Sequence, residues 1–228
     1  MAIEKRQTLG EVTGTLGDIV RRKRYGKIVV SRRPSKYRKS KSKAAVDGRN
    51  SFALSVAFAK AVNSIPHLKQ VWQLAKLDGV VAYNRIIKYN KQFIKDSSLT
   101  VNNIITPKGI FFLLNDFSLQ NKKLVLSIDL KETDLKKLLT PGFYIHIILY
   151  AFNATGTKSK EFFITAISTQ VNVQAEKNII DLEIALDTSM TNYLKYYKSL
   201  IVYAAATNYS GNKKSIFWTS TVAKQFDV

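Results

Sequence analysis

The stretch Phe143-Tyr144-Ile145-His146-Ile147-Ile148-Leu149-Tyr150-Ala151-Phe152 is the apolar run from which the fold is read. A membrane-spanning helix needs about 20 apolar residues. This run has ten, and His146 interrupts it. Ile, Tyr and Phe favour a pleated, packed surface, so the run reads as a strand over 142–152. The same residue types recur in both directions from Leu99 onward. Candidate strands fall at 99–105, 110–118, 123–130, 160–172, 178–186, 199–207 and 214–222. Turn signals divide them at Pro107-Lys108-Gly109, Pro141-Gly142, Gly156 and Ser210-Gly211-Asn212. Strands at this spacing predict an antiparallel β-sandwich of immunoglobulin-like size over 98–228. The chain has no cysteine, so such a sandwich holds no inter-sheet disulfide. Residues 190–197 read as a helical turn crossing between its sheets.

Upstream, the apolar period lengthens to three and four. Leu54, Phe58, Ala61, Val62 and Ile65 predict an amphipathic helix over 44–64. Pro66 stops it and fits the first turn of a second helix. Leu68, Val71, Trp72 and Ala75 supply that helix's stripe, and Asp78-Gly79 ends it. A third helix, over 80–95, carries Tyr83, Ile86, Ile87 and Ile94, with Arg85, Lys88, Lys91 and Lys95 on other faces. The three are expected to form a small bundle, a helical segment over 44–97.

The remaining amino-terminal part is dominated by charge. The chain has 36 Lys and Arg against 16 Asp and Glu, a formal +20. Residues 1–50 hold fifteen basic and four acidic residues, whereas residues 101–228 hold fourteen and ten. Between 21 and 43 stand Arg21, Arg22, Lys23, Arg24, Lys27, Arg32, Arg33, Lys36, Arg38, Lys39, Lys41 and Lys43, with no acid among them. Solvated surfaces usually mix signs to limit repulsion. A run this uniform points to an external polyanion.

Within it, two basic β runs flank Tyr25-Gly26 and predict a hairpin. Such a ribbon fits along or within a nucleic-acid groove. Residues 33–43 have no apolar period, and Pro34 disfavours helix before it, so they read as an extended tether, with Tyr37 placed to stack on a base. Residues 1–43 are thus expected to form a basic nucleic-acid-binding arm. Arg49 adds a further cation where the helices anchor the arm. The predicted class is α+β: a basic amino-terminal hairpin and extended arm, a short helical segment, and the β-sandwich.

Catalytic patterns are hard to find. His67 and His146 have no Cys, His or paired carboxylate at ligand spacing. Gly10, Gly14 and Gly17 lack the Gly-Lys-Ser or Gly-Lys-Thr of a phosphate loop, and Asp18 would repel a phosphate there. Asp129, Glu132 and Asp134 stand among Lys131, Lys136 and Lys137, a charged turn rather than a cation site. No nucleophile elbow, zinc-protease helix or dinucleotide fingerprint occurs. No enzyme activity, metal, cofactor or small-molecule substrate is therefore expected. The beginning Met1-Ala2-Ile3-Glu4-Lys5-Arg6 lacks the apolar stretch of a secretion signal, so a cytoplasmic protein without membrane contact is expected.

Three stretches carry a resemblance. They are Gly14-Thr15-Leu16-Gly17-Asp18-Ile19-Val20, Gly26-Lys27-Ile28-Val29-Val30-Ser31-Arg32-Arg33-Pro34, and Arg49-Asn50-Ser51-Phe52 leading into Ala57-Phe58-Ala59-Lys60-Ala61. Together they resemble a family of uncharacterised proteins from Bacteroidota and their phages, in which a basic Gly- and Arg-rich arm precedes helices and a β-rich carboxyl half. The resemblance covers about residues 10–75 in motif and the rest in architecture alone. It implies lineage rather than an activity, and it suggests a lineage-specific ribosomal protein. The resulting expectation is an RNA-binding structural protein, an rRNA-binding component of the large ribosomal subunit, with the sandwich facing neighbouring proteins of the assembly. Its rivals are a phage or virion structural protein with a DNA-facing arm, and a nucleoid-type DNA-binding protein.

Overall fold

The computed structural model describes residues 2–3, 13–33, 40–79, 81–111, 114–120, 123–129, 143–156, 160–171, 179–209 and 216–227. The chain divides into two compact units, residues 1–42 and residues 43–228.

The first unit is a four-stranded antiparallel sheet. Its strands are β1 (Ala2–Ile3), β2 (Gly14–Leu16), β3 (Ile19–Arg24) and β4 (Lys27–Arg32), in the order β1-β4-β3-β2. Two tight turns set its register. Gly17-Asp18 joins β2 to β3, with Gly17 at φ 56° and Leu16 opposite Ile19. Tyr25-Gly26 joins β3 to β4, with φ 51° and 75° and Arg24 opposite Lys27. Two successive left-handed residues make the twist-matched turn of two-residue hairpins. The basic hairpin is therefore present, and β2 and β1 extend it on either side. Its apolar content is thin: Val20 and Ile28 are buried, whereas Leu16 and Ile19 are exposed.

In the second unit, three helices, α1 (Lys43–Ser64), α2 (Pro66–Leu74) and α3 (Ala82–Asn90), precede two antiparallel sheets. One sheet has β5 (Leu114–Gln120), β6 (Lys123–Asp129) and β9 (Ile179–Ala185) in the order β5-β6-β9. The other runs β11-β10-β7-β8, from β7 (Phe143–Ala154), β8 (Phe162–Gln170), β10 (Tyr197–Tyr209) and β11 (Ile216–Trp218). A last strand, β12 (Val222–Asp227), also pairs with β10. Helix α4 (Thr188–Leu194) connects β9 of one sheet to β10 of the other, as the sequence predicts. Asp187 caps it by accepting from the Met190 amide at 2.7 Å.

The unit has three layers because β7 and β10 are buried on both faces. Ile145, Ile147, Leu149 and Ala151 meet Leu200, Val202, Ala204 and Ala206 in a core shared with Leu124, Leu126 and Ile128 of β6. The alternate residues Ile148, Tyr150, Ile201, Tyr203 and Ala205 form a second core with Leu54, Phe58, Val62, Trp72 and Ile86. Each Val, Leu, Ile or Phe among them contributes about 1.5–3 kcal/mol by leaving water. The helices predicted over 44–97 thus share a core with the large sheet and belong to the same unit as the sandwich, rather than forming a bundle of their own.

The structure corrects several boundaries. Residues 99–105 are not a strand. Leu99 and Ile105 are buried, but between them the chain turns around two buried amides. The Asn103 side chain accepts from the Thr100 amide at 2.8 Å, and the Asn90 side chain accepts from the Ile104 amide at 2.7 Å. In the described part of the strand expected at 214–222, β11 ends at Trp218 and β12 begins at Val222, with residues 219–221 outside both. The strand expected at 110–118 begins at Leu114, with an irregularity between Leu114 and Asp116. The third helix is shorter than 80–95 and ends in a 3-10 turn, Lys91–Phe93. Most of the tether assigned to 33–43 lies outside the described residues, and Lys43 belongs to α1, which it opens.

Candidate nucleic-acid interface

The hairpin register places the predicted cations. Residues paired across an antiparallel ladder share a face, and the faces alternate along each strand. Arg22, Arg24 and Lys27 therefore lie on one face, together with Val20 and Ser31. Arg21, Lys23 and Arg32 lie on the other, with Ile28 and Val30. Arg22, Lys23, Arg24, Lys27, Arg32 and Arg33 are all exposed.

Arg21 differs. It is 5% exposed, so it is a buried residue rather than an outward cation. It stands opposite Val30, on the face that also carries the buried Ile28.

Arg24 and Lys27 face each other directly at the hairpin tip. Like charges in that relation destabilise a strand pair. Within residues 13–33 the acid is Asp18, at the opposite end, 3.9 Å from Arg32 with both side chains exposed. At the tip, then, the described residues present only positive charge.

The turn itself holds the residue that sequence reading passed over. Tyr25 is 62% exposed and adopts φ 51°. Asn, Asp or Gly ordinarily fill this position of the turn, and a left-handed non-glycine residue costs roughly 1–2 kcal/mol. The signal was available in the sequence: a tyrosine where a two-residue turn calls for asparagine.

Three of the remaining predicted residues are described, outside the strands of this sheet. Lys43 and Arg49 are exposed on α1, in the second unit. Lys41 is exposed just ahead of that helix. Lys36, Tyr37, Arg38 and Lys39 lie outside the described residues, as do Glu132 and Asp134.

The two histidines come together, which their sequence separation hides. His146 is fully buried on β7, with Nδ1 2.9 Å from Ser168 Oγ and Nε2 2.8 Å from Thr207 Oγ1. His67, at the start of α2, lies over Tyr144, with ring centroids 4.3 Å apart, and 5.5 Å from the His146 ring. Burial, and to a lesser extent the neighbouring His67, together push the His146 pKa down to about 3. A ring so reluctant to take a proton is a poor base for activating Ser168 near neutral pH. The pair reads as a polar plug in the sheet. No group of three or more His, Cys, Asp or Glu fit to hold a metal occurs among the described residues.

The chain matches no protein-family model and no curated protein sequence.

Proposed function

We propose that this protein is an RNA-binding structural protein whose amino-terminal sheet grips phosphates, and that it serves as an rRNA-binding component of the large ribosomal subunit. The observation that carries the reading is the hairpin tip, where Arg24 and Lys27 oppose each other on one face beside Arg22. An isolated fold gains nothing from that juxtaposition, whereas a polyanion between the cations turns repulsion into attraction. Phosphate contacts of this kind fix position without reading sequence.

The charge of the second unit supports the same division of labour. The outer face of the β5-β6-β9 sheet carries Asp116 and Asp181 on either side of Ser127, and Glu183 beside Lys123 at 2.7 Å. That face suits contact with proteins better than contact with phosphates. The resemblance in residues 10–75 supplies the ribosomal context.

Sedimentation of a cell lysate through a sucrose gradient tests the reading. Co-migration with the large subunit that survives moderate salt is the expected result. Recovery away from ribosomal particles, with DNA or in virions, would replace it with one of the DNA-binding alternatives.

A further inference from the structure

We propose that β8 is an interaction edge that pairs antiparallel with β8 of a second copy of this chain, in register about Thr165, so that the two large sheets run on into each other. The dimer is independent of what the basic sheet binds.

β8 stands last in the order β11-β10-β7-β8, so one side is bonded to β7 and the other meets no strand among the described residues. Val171, just past β8, donates to the Phe143 carbonyl at 2.9 Å. By the alternation of antiparallel pairs, the backbone groups of Phe162, Ile164, Ala166, Ser168 and Gln170 then point away from β7. An edge of this kind is a template for another strand, and proteins ordinarily blunt it with charge, a bulge or short length. The other edges of the second unit are blunted in these ways. β5 has Asp116 beside an irregularity, β9 has Asp181 and Glu183, β12 has Lys224 and Asp227, and β11 has three residues. β8 runs nine residues, Phe162 to Gln170, without a charge, a proline or a shift of register.

The two faces of β8 decide what fits beside it. Phe163 and Ile167 pack against the sandwich core, and Phe162, Ile164 and Ala166 against the core beneath the helices. All six residues from Phe162 to Ile167 are half-buried. A strand covered on both faces is matched by a neighbour that is apolar on both faces. Among the described strands β7 and β10 have that character, and each is already bonded on both sides. The strand left over is β8 itself. A two-fold axis at Thr165 lets Ile164 exchange hydrogen bonds with the second copy's Ala166, through the backbone groups that point outward. It also sets Phe163 opposite the second copy's Ile167, and Thr165 opposite its own counterpart, each pair sharing a face. The flanking Lys160 and Glu161 meet Gln170 and Thr169, so no like charges oppose each other although the chain carries a formal +20. Such a contact is isologous and closes at two copies.

The test uses the full chain, freed of nucleic acid by nuclease and high salt, in analytical ultracentrifugation. Wild type is expected at twice the monomer mass. Thr165→Lys sets two ammonium groups against each other at the axis, and the mass is expected to halve with an unchanged far-ultraviolet spectrum. Because the chain has no cysteine, Thr165→Cys supplies a single thiol. Non-hydrogen-bonded partners stand about 4.5 Å apart at Cα, within disulfide reach, so mild oxidation should convert most of this variant to a covalent dimer. Thr169→Cys is on the same face and more exposed, but it lies opposite Glu161 and should stay uncrosslinked. A wild type that is monomeric at every concentration up to its solubility limit overturns the proposal. So does a dimer that Thr169→Cys crosslinks as readily as Thr165→Cys, or one that a folded Thr165→Lys leaves intact. If Thr165→Lys does not fold, the two cysteine variants decide the matter alone.

Discussion

Held between the Ser168 and Thr207 hydroxyls, His146 is neutral in the folded protein, and unfolding frees it to bind a proton at any pH below its ordinary value. The folded pKa of about 3 lies under the ordinary 6.5. The stabilising contribution is therefore complete above about 6.5 and is lost as the pH falls toward 3. Each pH unit in that window costs about 1.4 kcal/mol per such group. His67, also lowered by burial, adds in the same direction. Urea titrations of wild type at pH 7 and pH 5 should differ by about 2 kcal/mol. His146→Gln should show a smaller difference; an undiminished one would mean that another group carries the acid sensitivity. None of this was legible from the sequence, where His67 and His146 are 79 positions apart. A lone histidine between isoleucines gives no hint of its partners until β8 and β10 are laid beside it.

At the level of elements, Arg85 on α3 closes the end of α2. Its Nη1 donates to the carbonyls of Trp72, Gln73 and Ala75 at 2.7, 2.9 and 3.1 Å, and its Nε donates to Gly79 at 3.0 Å. The Trp72 and Gln73 carbonyls lie in the last turn of α2, where the helix supplies no partner, and a planar guanidinium reaches several carbonyls at once as an ammonium cannot. Arg85→Lys should therefore cost about 1–3 kcal/mol in chemical denaturation, although the charge is kept. A similar dependence governs the strap that leads into β5. A Cβ on Gly109 would run into the Trp218 carbonyl and indole, so Gly109→Ala should destabilise by about 1–3 kcal/mol as the overpacked strap shifts. Sequence patterns found most of these elements because their periods were clean, as in α1 and β6. They failed at 99–105, where Leu, Thr, Val and Ile mimic a strand. Asn102-Asn103 there was the turn signal, and the buried amides of Asn90 and Asn103 bend the chain. The hairpin was legible from Tyr25-Gly26 between basic β runs, but the burial of Arg21 was not. Alternation assigns faces, and only the finished sheet says which of them is covered.

For the whole molecule, the shared helix-and-sheet core predicts one unfolding transition for residues 43–228. Phe58→Ala, made in a side chain that is fully buried against Tyr203 with ring centroids 5.4 Å apart, should cost about 3–5 kcal/mol. Far-ultraviolet dichroism and tryptophan fluorescence should still move together; separate transitions would mean that the helices and the sandwich fold apart. The three-layer arrangement was half visible in the sequence. The unbroken apolar runs in β7 and β10, against the alternation in β6, announced strands covered on both faces, but not that α1 and α2 supply the cover. Binding belongs to the same scale. If the six exposed cations of the small sheet each neutralise a phosphate, the log–log slope of RNA affinity against salt should be about −4 to −5, and a flat response would point to a protein partner instead.

The order in which the layers are synthesised follows from the position of β10 in the sheet. Residues 1–42 contain every strand of the basic sheet, so that sheet is complete in sequence as soon as its turns have left the ribosome. The apolar faces of α1 and α2 emerge next, yet part of the surface they pack on, Ile201, Tyr203 and Ala205, comes more than a hundred residues later. At about 5–20 residues per second the gap lasts several seconds or more. During that interval Leu54, Phe58 and Trp72 lack part of their partner surface. The nascent chain therefore has its basic end ready early, while its largest apolar surfaces still await their central strand, and that interval is when a chaperone has most to do for this protein.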